Sequence, residues 1–132
     1  MTDCCSDKET IIYTCSGASD VGEIADRVAR KLRSDGYGKM SCLAAIGSNQ
    51  FAYVESAKIA ENITIDGCPI ACAKKTLENI EIIPRSYVLT EMGLTKGKTP
   101  ITPEIVDKIA NEITKSISLK SPSEQNNPWC TC

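Results

Sequence analysis

The sequence predicts an α/β fold: a single three-layer domain, Rossmann-like, with a mostly parallel sheet. Three observations lead there. The length of 132 residues suits one domain and lets the folded chain hide about two thirds of the surface its unfolded form exposes, so an ordinary core can hold it without disulfides. Short β-branched runs alternate with segments whose apolar residues recur at helical spacing. The connections between them are short, as in βαβ units whose parallel sheet is covered on both faces.

The folded body is expected over residues 10–120, after a polar tail over 1–9. Thr10-Ile11-Ile12-Tyr13-Thr14-Cys15 reads as a strand running into the turn Ser16-Gly17-Ala18-Ser19, so Cys15 ends a strand. Asp20 with Glu23 three residues on carries a capping-box signature. Val21, Ile24, Ala25, Val28, Ala29 and Leu32 follow at helical spacing, with a stop near Gly36. Residues 39–47 are apolar and too short for periodicity to separate a buried strand from a helix start, and burial is expected. Ser48 or Asn49 caps a second helix through about Glu61, with Ala52, Val54, Ala57 and Ala60 on its stripe.

Asn62-Ile63-Thr64-Ile65-Asp66 is the next strand, broken by Gly67. Cys68-Pro69 then opens a third helix carrying Cys72, Ala73, Leu77 and Ile80, with Pro69 at the first helical position, where its missing N–H costs nothing. Ile82, Ile83, Tyr87, Val88 and Leu89 mark a fourth strand within 81–90, and Pro84 marks an edge or a strand entry. Thr102 and Pro103 start a last helix with Ile105, Ile109, Ile113 and Ile117 on one side. Residues 121–132, polar and apolar-poor before Trp129-Cys130-Thr131-Cys132, are expected to form a mobile tail.

Charge and hydropathy exclude several classes. Fifteen Lys and Arg against seventeen Asp and Glu leave a net charge of -2, which offers no basic field for phosphate backbones. Nucleic acid is therefore not expected as a partner. Nor is a membrane, since no apolar stretch approaches the roughly 20 residues a bilayer span needs. Residues 1–9 hold no hydrophobic segment followed by a cleavage site, so a cytoplasmic protein is expected.

Eight cysteines and no histidine stand out against this background. In reducing cytoplasm, grouped cysteines more often bind metal or do thiol chemistry than form disulfides. Without histidine, a Ser-His-Asp or Cys-His mechanism cannot be built, and any metal must be held by thiolates or carboxylates. Cys68 and Cys72, four residues apart at a helix start, would share one face near the positive end of the helix dipole, which favours thiolates. Lys74 and Lys75 add positive charge. With Cys15 and Cys42 they make four thiolates from three loops, enough for tetrahedral zinc at Zn–S distances of about 2.3 Å. Taken singly, each is as well explained as a small buried hydrophobe.

Sharper motifs fail at essential positions. Gly17-x-x-x-x-Gly22 is followed by Glu23-Ile24, where a P-loop needs Lys and Ser or Thr. A C-x5-R phosphatase loop from Cys15 would need Arg where Val21 stands. Cys68-x-x-x-Cys72 is one residue too long for a thioredoxin-like pair, and a radical-SAM pattern would need Cys in place of Lys75.

Four blocks carry a family resemblance: Cys15-Ser-Gly-Ala-Ser19, Met40-Ser-Cys-Leu-Ala-Ala-Ile-Gly47, Ile65-Asp-Gly-Cys-Pro-Ile-Ala-Cys-Ala-Lys-Lys75 and Leu89-Thr-Glu-Met-Gly93. In this order they resemble the DGC family, described as zinc-binding and named for a triplet that here is Asp66-Gly67-Cys68. The resemblance spans residues 11–96 and implies four metal-ligand cysteines, Cys15, Cys42, Cys68 and Cys72, the same set chosen from the residues. Asp66 then caps backbone or orients a ligand, and Gly67 permits a close backbone approach or a positive φ.

The resulting expectation is a metal-binding protein, not an enzyme, that holds one zinc ion for structure or metal handling. A closed four-thiolate site leaves no open position for hydrolytic water. An iron–sulfur protein in electron transfer would use the same four cysteines. A thiol or persulfide transferase would use Cys68 to attack and Cys72 to resolve. Cys4-Cys5 and Cys130-Thr131-Cys132 lie outside the resembling region, where they either capture a soft metal, exchange disulfides or stay incidental.

Overall fold

The computed structural model describes residues 8–119. The expected tails, with Cys4, Cys5, Trp129, Cys130 and Cys132, lie outside the described residues apart from Lys8 and Glu9. Four strands, β1 (Thr10–Thr14), β2 (Lys39–Met40), β3 (Glu61–Asp66) and β4 (Arg85–Val88), form one sheet in the order β2-β1-β3-β4. Every neighbouring pair is parallel. Five helices accompany them: α1 (Asp20–Ser34), α2 (Leu43–Gly47), α3 (Phe51–Ile59), α4 (Cys72–Glu78) and α5 (Pro103–Leu119).

The alternation of side chains along each strand decides the layers. Ile12 of β1 pairs with Ile63 of β3, and both, with Ile65, face α1 and α5, where Ile24, Val28, Leu32, Ile109 and Ile113 complete one core. Ile11 and Tyr13 point the other way, into a second core built by Ile46 of α2, Val54 and Ala57 of α3, and Ala73 and Leu77 of α4. The result is an α/β fold with helices on both faces. The chain leaves β1 toward β2 on one side and later returns to place β3 on the other, so the direction of strand addition reverses between β1 and β3. In open parallel sheets that reversal opens a crevice at the carboxyl ends of the strands.

Several boundaries differ from expectation, each for a local reason. α1 is capped by Ser19, whose Oγ accepts from the Gly22 amide at 3.1 Å, and Asp20 is its first helical residue. The 39–47 segment is a two-residue strand followed by a short helix, and within it only Ile46 is buried. Asn49 does not cap α3. It adopts a left-handed backbone (φ 57°) that turns α2 into α3, a conformation Asn tolerates better than most residues. α3 begins after Gln50, and Ala52 is exposed, leaving Val54 and Ala57 to anchor it.

β4 starts at Arg85, directly after Pro84, and forms the edge of the sheet. Glu81 is left-handed (φ 63°) and Pro84 has no N–H to donate, so the ladder does not extend back to Ile83, which is 90 % exposed. Leu89–Met92 is a 3-10 turn, not strand. α5 starts as expected, with Thr102 Oγ1 accepting from the Ile105 amide, and the Tyr87 hydroxyl donates to Ser116 Oγ at 2.9 Å to tie β4 to it. No helix among the described residues is long and apolar enough to cross a membrane.

Candidate functional site

The carboxyl ends of three adjacent strands carry the four cysteines of the matching blocks. Cys15 follows β1, Cys42 lies two residues past β2, Cys68 lies two residues past β3, and Cys72 opens α4 on the same connection. Neighbouring strands lie about 4.8 Å apart, so these backbone positions share one rim, with Cys15 on the middle strand.

Close packing draws two of the connections together. A Cβ built on Gly67 would lie 2.6 Å from the Gly22 amide nitrogen and 2.6 Å from the Val21 carbonyl carbon, so the end of β3 runs directly against the first turn of α1. Gly22 is tight as well, its Cβ position falling 3.2 Å from the Gly17 Cα. Only glycine lets the Asp66–Cys68 turn and the Cys15–Ser19 turn both pack this closely on the first turn of α1. Gly67 therefore serves close approach and needs no positive φ.

Asp66 is 1 % exposed, and its carboxylate accepts from the Ala73 amide at 2.8 Å and the Lys74 amide at 3.1 Å. It caps α4 from the end of the preceding strand. Burial raises its carboxyl above the usual range, against the lowering by those two amides and by the charges of Lys74 and Lys75. This capping corrects the expected third helix. Cys68 to Ala71 is a turn with Pro69 at its second position, closed by the Ala71 amide donating to the Cys68 carbonyl at 3.0 Å. Ala71 is left-handed (φ 52°, ψ 51°), and the helix begins at Cys72, where its first amides meet the Asp66 carboxylate. Cys68 and Cys72 are consequently not stacked on one helix. At the dipole end expected to favour thiolates, the Ala73 and Lys74 amides instead donate to Asp66.

The four thiols share the rim without being drawn into a cage. Cys15 is half-buried and packs against the α1–α5 core, whereas Cys42 and Cys72, both exposed, head the helices of the opposite face. Cys68, after β3, is also half-buried, and in strand order Cys15 lies between it and Cys42. Among the described residues no three Cys, Asp or Glu side chains are arranged to hold one ion. The donor set fits a soft ion in kind, being thiols in a chain without histidine, on adjacent strand ends. Sulfurs around one zinc stand about 3.8 Å apart, so the exposed Cys42 and Cys72 must turn inward to complete such a set.

Two residues at the rim were not foreseen. Lys96 Nζ lies 3.7 Å from Cys68 Sγ. Its loop is held by Asp20, whose carboxylate accepts from the Gly97 amide at 2.9 Å and the Thr99 amide at 3.1 Å as well as from Val21. These backbone donors, Gly97 foremost and then Thr99, hold the Asp20 carboxyl below the usual range. The sequence carries a turn signal at Gly97, but its partner stands 77 residues away, beyond any local pattern. Tyr13, fully buried beneath the rim, has its phenol raised by burial, and Ser41 offsets part of that without closing a hydrogen bond of good geometry.

Comparison with known proteins follows the same residues. The DGC domain model matches residues 11–113, the whole of both cores. The chain belongs to the DGC-domain family. The match extends the resemblance past Lys96 through most of α5, the helix that closes the face on which Cys15 packs. A similar protein is the anaerobic and virulence modulator AnvM of Pseudomonas aeruginosa, 35 % identical over 88 residues, which are 65 % of this chain and 67 % of that one. No solved structure matches the chain.

Proposed function

We propose that this DGC-domain protein binds one zinc ion at the carboxyl rim of its sheet through Cys15, Cys42, Cys68 and Cys72. One observation carries the reading: three connections far apart in sequence deliver four thiols to three adjacent strand ends, beside the point where strand order reverses. Bound there, zinc would cross-link those connections. With four thiolates it offers no open position for hydrolysis, so the role is structural or in metal handling. The site requires reduced thiols, which suits the cytoplasm. The relative's name describes a modulator of anaerobic behaviour, and thiolate ligands, which release metal when oxidised, suit such a role.

The test is elemental analysis with an absorption spectrum on the full chain purified anaerobically without a metal-binding tag. About one zinc per chain, a colourless solution, and loss of the ion on replacing any of the four cysteines by serine are the expected results. Iron with sulfide and visible absorption would assign the same thiols to a cluster for electron transfer. A second reading, thiol or persulfide transfer by Cys68 with Cys72 resolving, is favoured by the unassembled thiols and the Lys96 contact. Under it, Cys15→Ser with Cys42→Ser would leave the reactivity of Cys68 largely intact.

A further inference from the structure

We propose that Lys96 is the cationic partner of the Cys68 sulfur, held there by Asp20, and that it offsets part of the charge of a thiolate-bound ion at the rim. The second half rests on the reading of Cys68 as a metal ligand. Four thiolates around a divalent ion leave two negative charges in excess, and an N–H directed at a ligand sulfur stabilises them. Lys96 is placed to supply it at 3.7 Å.

An exposed lysine usually gains little from one contact, because its long side chain must be ordered. Here the backbone beneath it is already fixed. The Asp20 carboxylate sits at the start of α1 and binds the Gly97 and Thr99 amides, so the backbone immediately after Lys96 is tied to a helix end. The loop is also closed on itself, Thr99 Oγ1 accepting from the Thr95 amide at 3.0 Å and donating to the Thr95 carbonyl at 2.7 Å. Gly97 supplies the left-handed turn (φ 84°) this closure needs. Lys31, Lys39, Lys58 and Lys74 sit on carboxylates, whereas Lys96 is directed at sulfur. An open hollow of about 620 Å³ between Ser19–Asp20 and Lys96–Pro100 gives solutes access to this corner. Asp20 is thus a positioning residue that acts through the loop.

The test compares alkylation of Cys68 in the full, metal-free chain by iodoacetate and by iodoacetamide, followed at the Cys68 peptide by mass spectrometry. Both reagents attack the same thiolate, so the ratio of their rates cancels the ionised fraction and reports the charge beside the sulfur. Lys96→Gln is expected to lower the ratio about fivefold at low ionic strength, the effect of one unit charge near 4 Å in water. Lys96→Arg should keep it, Asp20→Asn should move it toward Lys96→Gln, and Lys98→Gln should leave it within about twofold. Zinc affinity, read by competition with a chromophoric chelator, should fall about tenfold or more in Lys96→Gln and recover in Lys96→Arg. An unchanged ratio in Lys96→Gln overturns the pairing. A lowered ratio with zinc affinity equal to the parent's overturns the charge-offsetting role. A parent chain that binds no zinc removes the metal reading and that role together, while the ratio still decides the pairing.

Discussion

Adding one methyl group at Gly67 should destabilise the fold more than any other single-carbon change at the rim. The built Cβ lies 2.6 Å from two backbone atoms of Val21 and Gly22 and 2.8 Å from the Val21 carbonyl oxygen. That is about 0.8 Å short of an ordinary contact, and no flexible side chain is there to yield. Val21 is fully buried and the Gly22 amide is engaged by Ser19, so relief requires parting the end of β3 from α1. Overpacking against rigid groups costs about 3 kcal/mol, and the lower entropy of unfolded Ala returns about 0.4–1 kcal/mol. The net loss is about 2 kcal/mol, or roughly 8 °C in Tm for a domain of this size. Gly47→Ala is the internal control. Its nearest neighbour would be Thr76 Cγ2 at 3.9 Å, its backbone is helical, and Ala should stabilise α2 by about 0.5–1 kcal/mol. Thermal and urea unfolding of the two variants should therefore shift in opposite directions. A Gly67→Ala protein melting within about 2 °C of its parent would refute the close-approach account.

Three further outcomes follow from the same geometry. Asp66→Ala leaves the buried Ala73 amide and the Lys74 amide without their acceptor, and urea unfolding should show a loss of about 2–3 kcal/mol, with Asp66→Asn losing less because one acceptor oxygen remains. For Asp20 the folded carboxyl lies below its unfolded value, so its contribution is present above the unfolded value and vanishes as pH falls through the folded one. The stability difference between parent and Asp20→Asn, followed by acid titration of Tm, should accordingly shrink only below about pH 4. If zinc binds the folded chain alone, a hundredfold excess over Kd should raise stability by about 2.7 kcal/mol, and a chelator should reverse the gain in a calorimetric scan.

Local chemistry was legible in the sequence wherever one short segment sufficed. The β-branched run at 10–14, the apolar periodicity of α1, and Pro103 at the start of α5 produced elements close to those observed, because each depends on neighbours within a turn or a strand. The sequence puts the start of the third helix three residues early because Pro69 suits a turn as well as a first helical position. The choice between them was made by Asp66, whose buried carboxylate binds the Ala73 and Lys74 amides from the end of another element.

The sequence by itself determined an alternating α/β chain of the DGC family, with thiols where strands end, since alternation, cysteine spacing and absence of histidine are properties of the residues alone. Only the tertiary structure decided how that rim is built. Gly67 against Val21 and Gly22, Asp20 on the 97–99 amides and Lys96 on Cys68 join residues 28 to 79 positions apart, or 45 and 46 for the glycine contact. Such pairs form only once the sheet has set its strand order, because packing and hydrogen bonding depend on distance in space and leave no periodic trace along the chain.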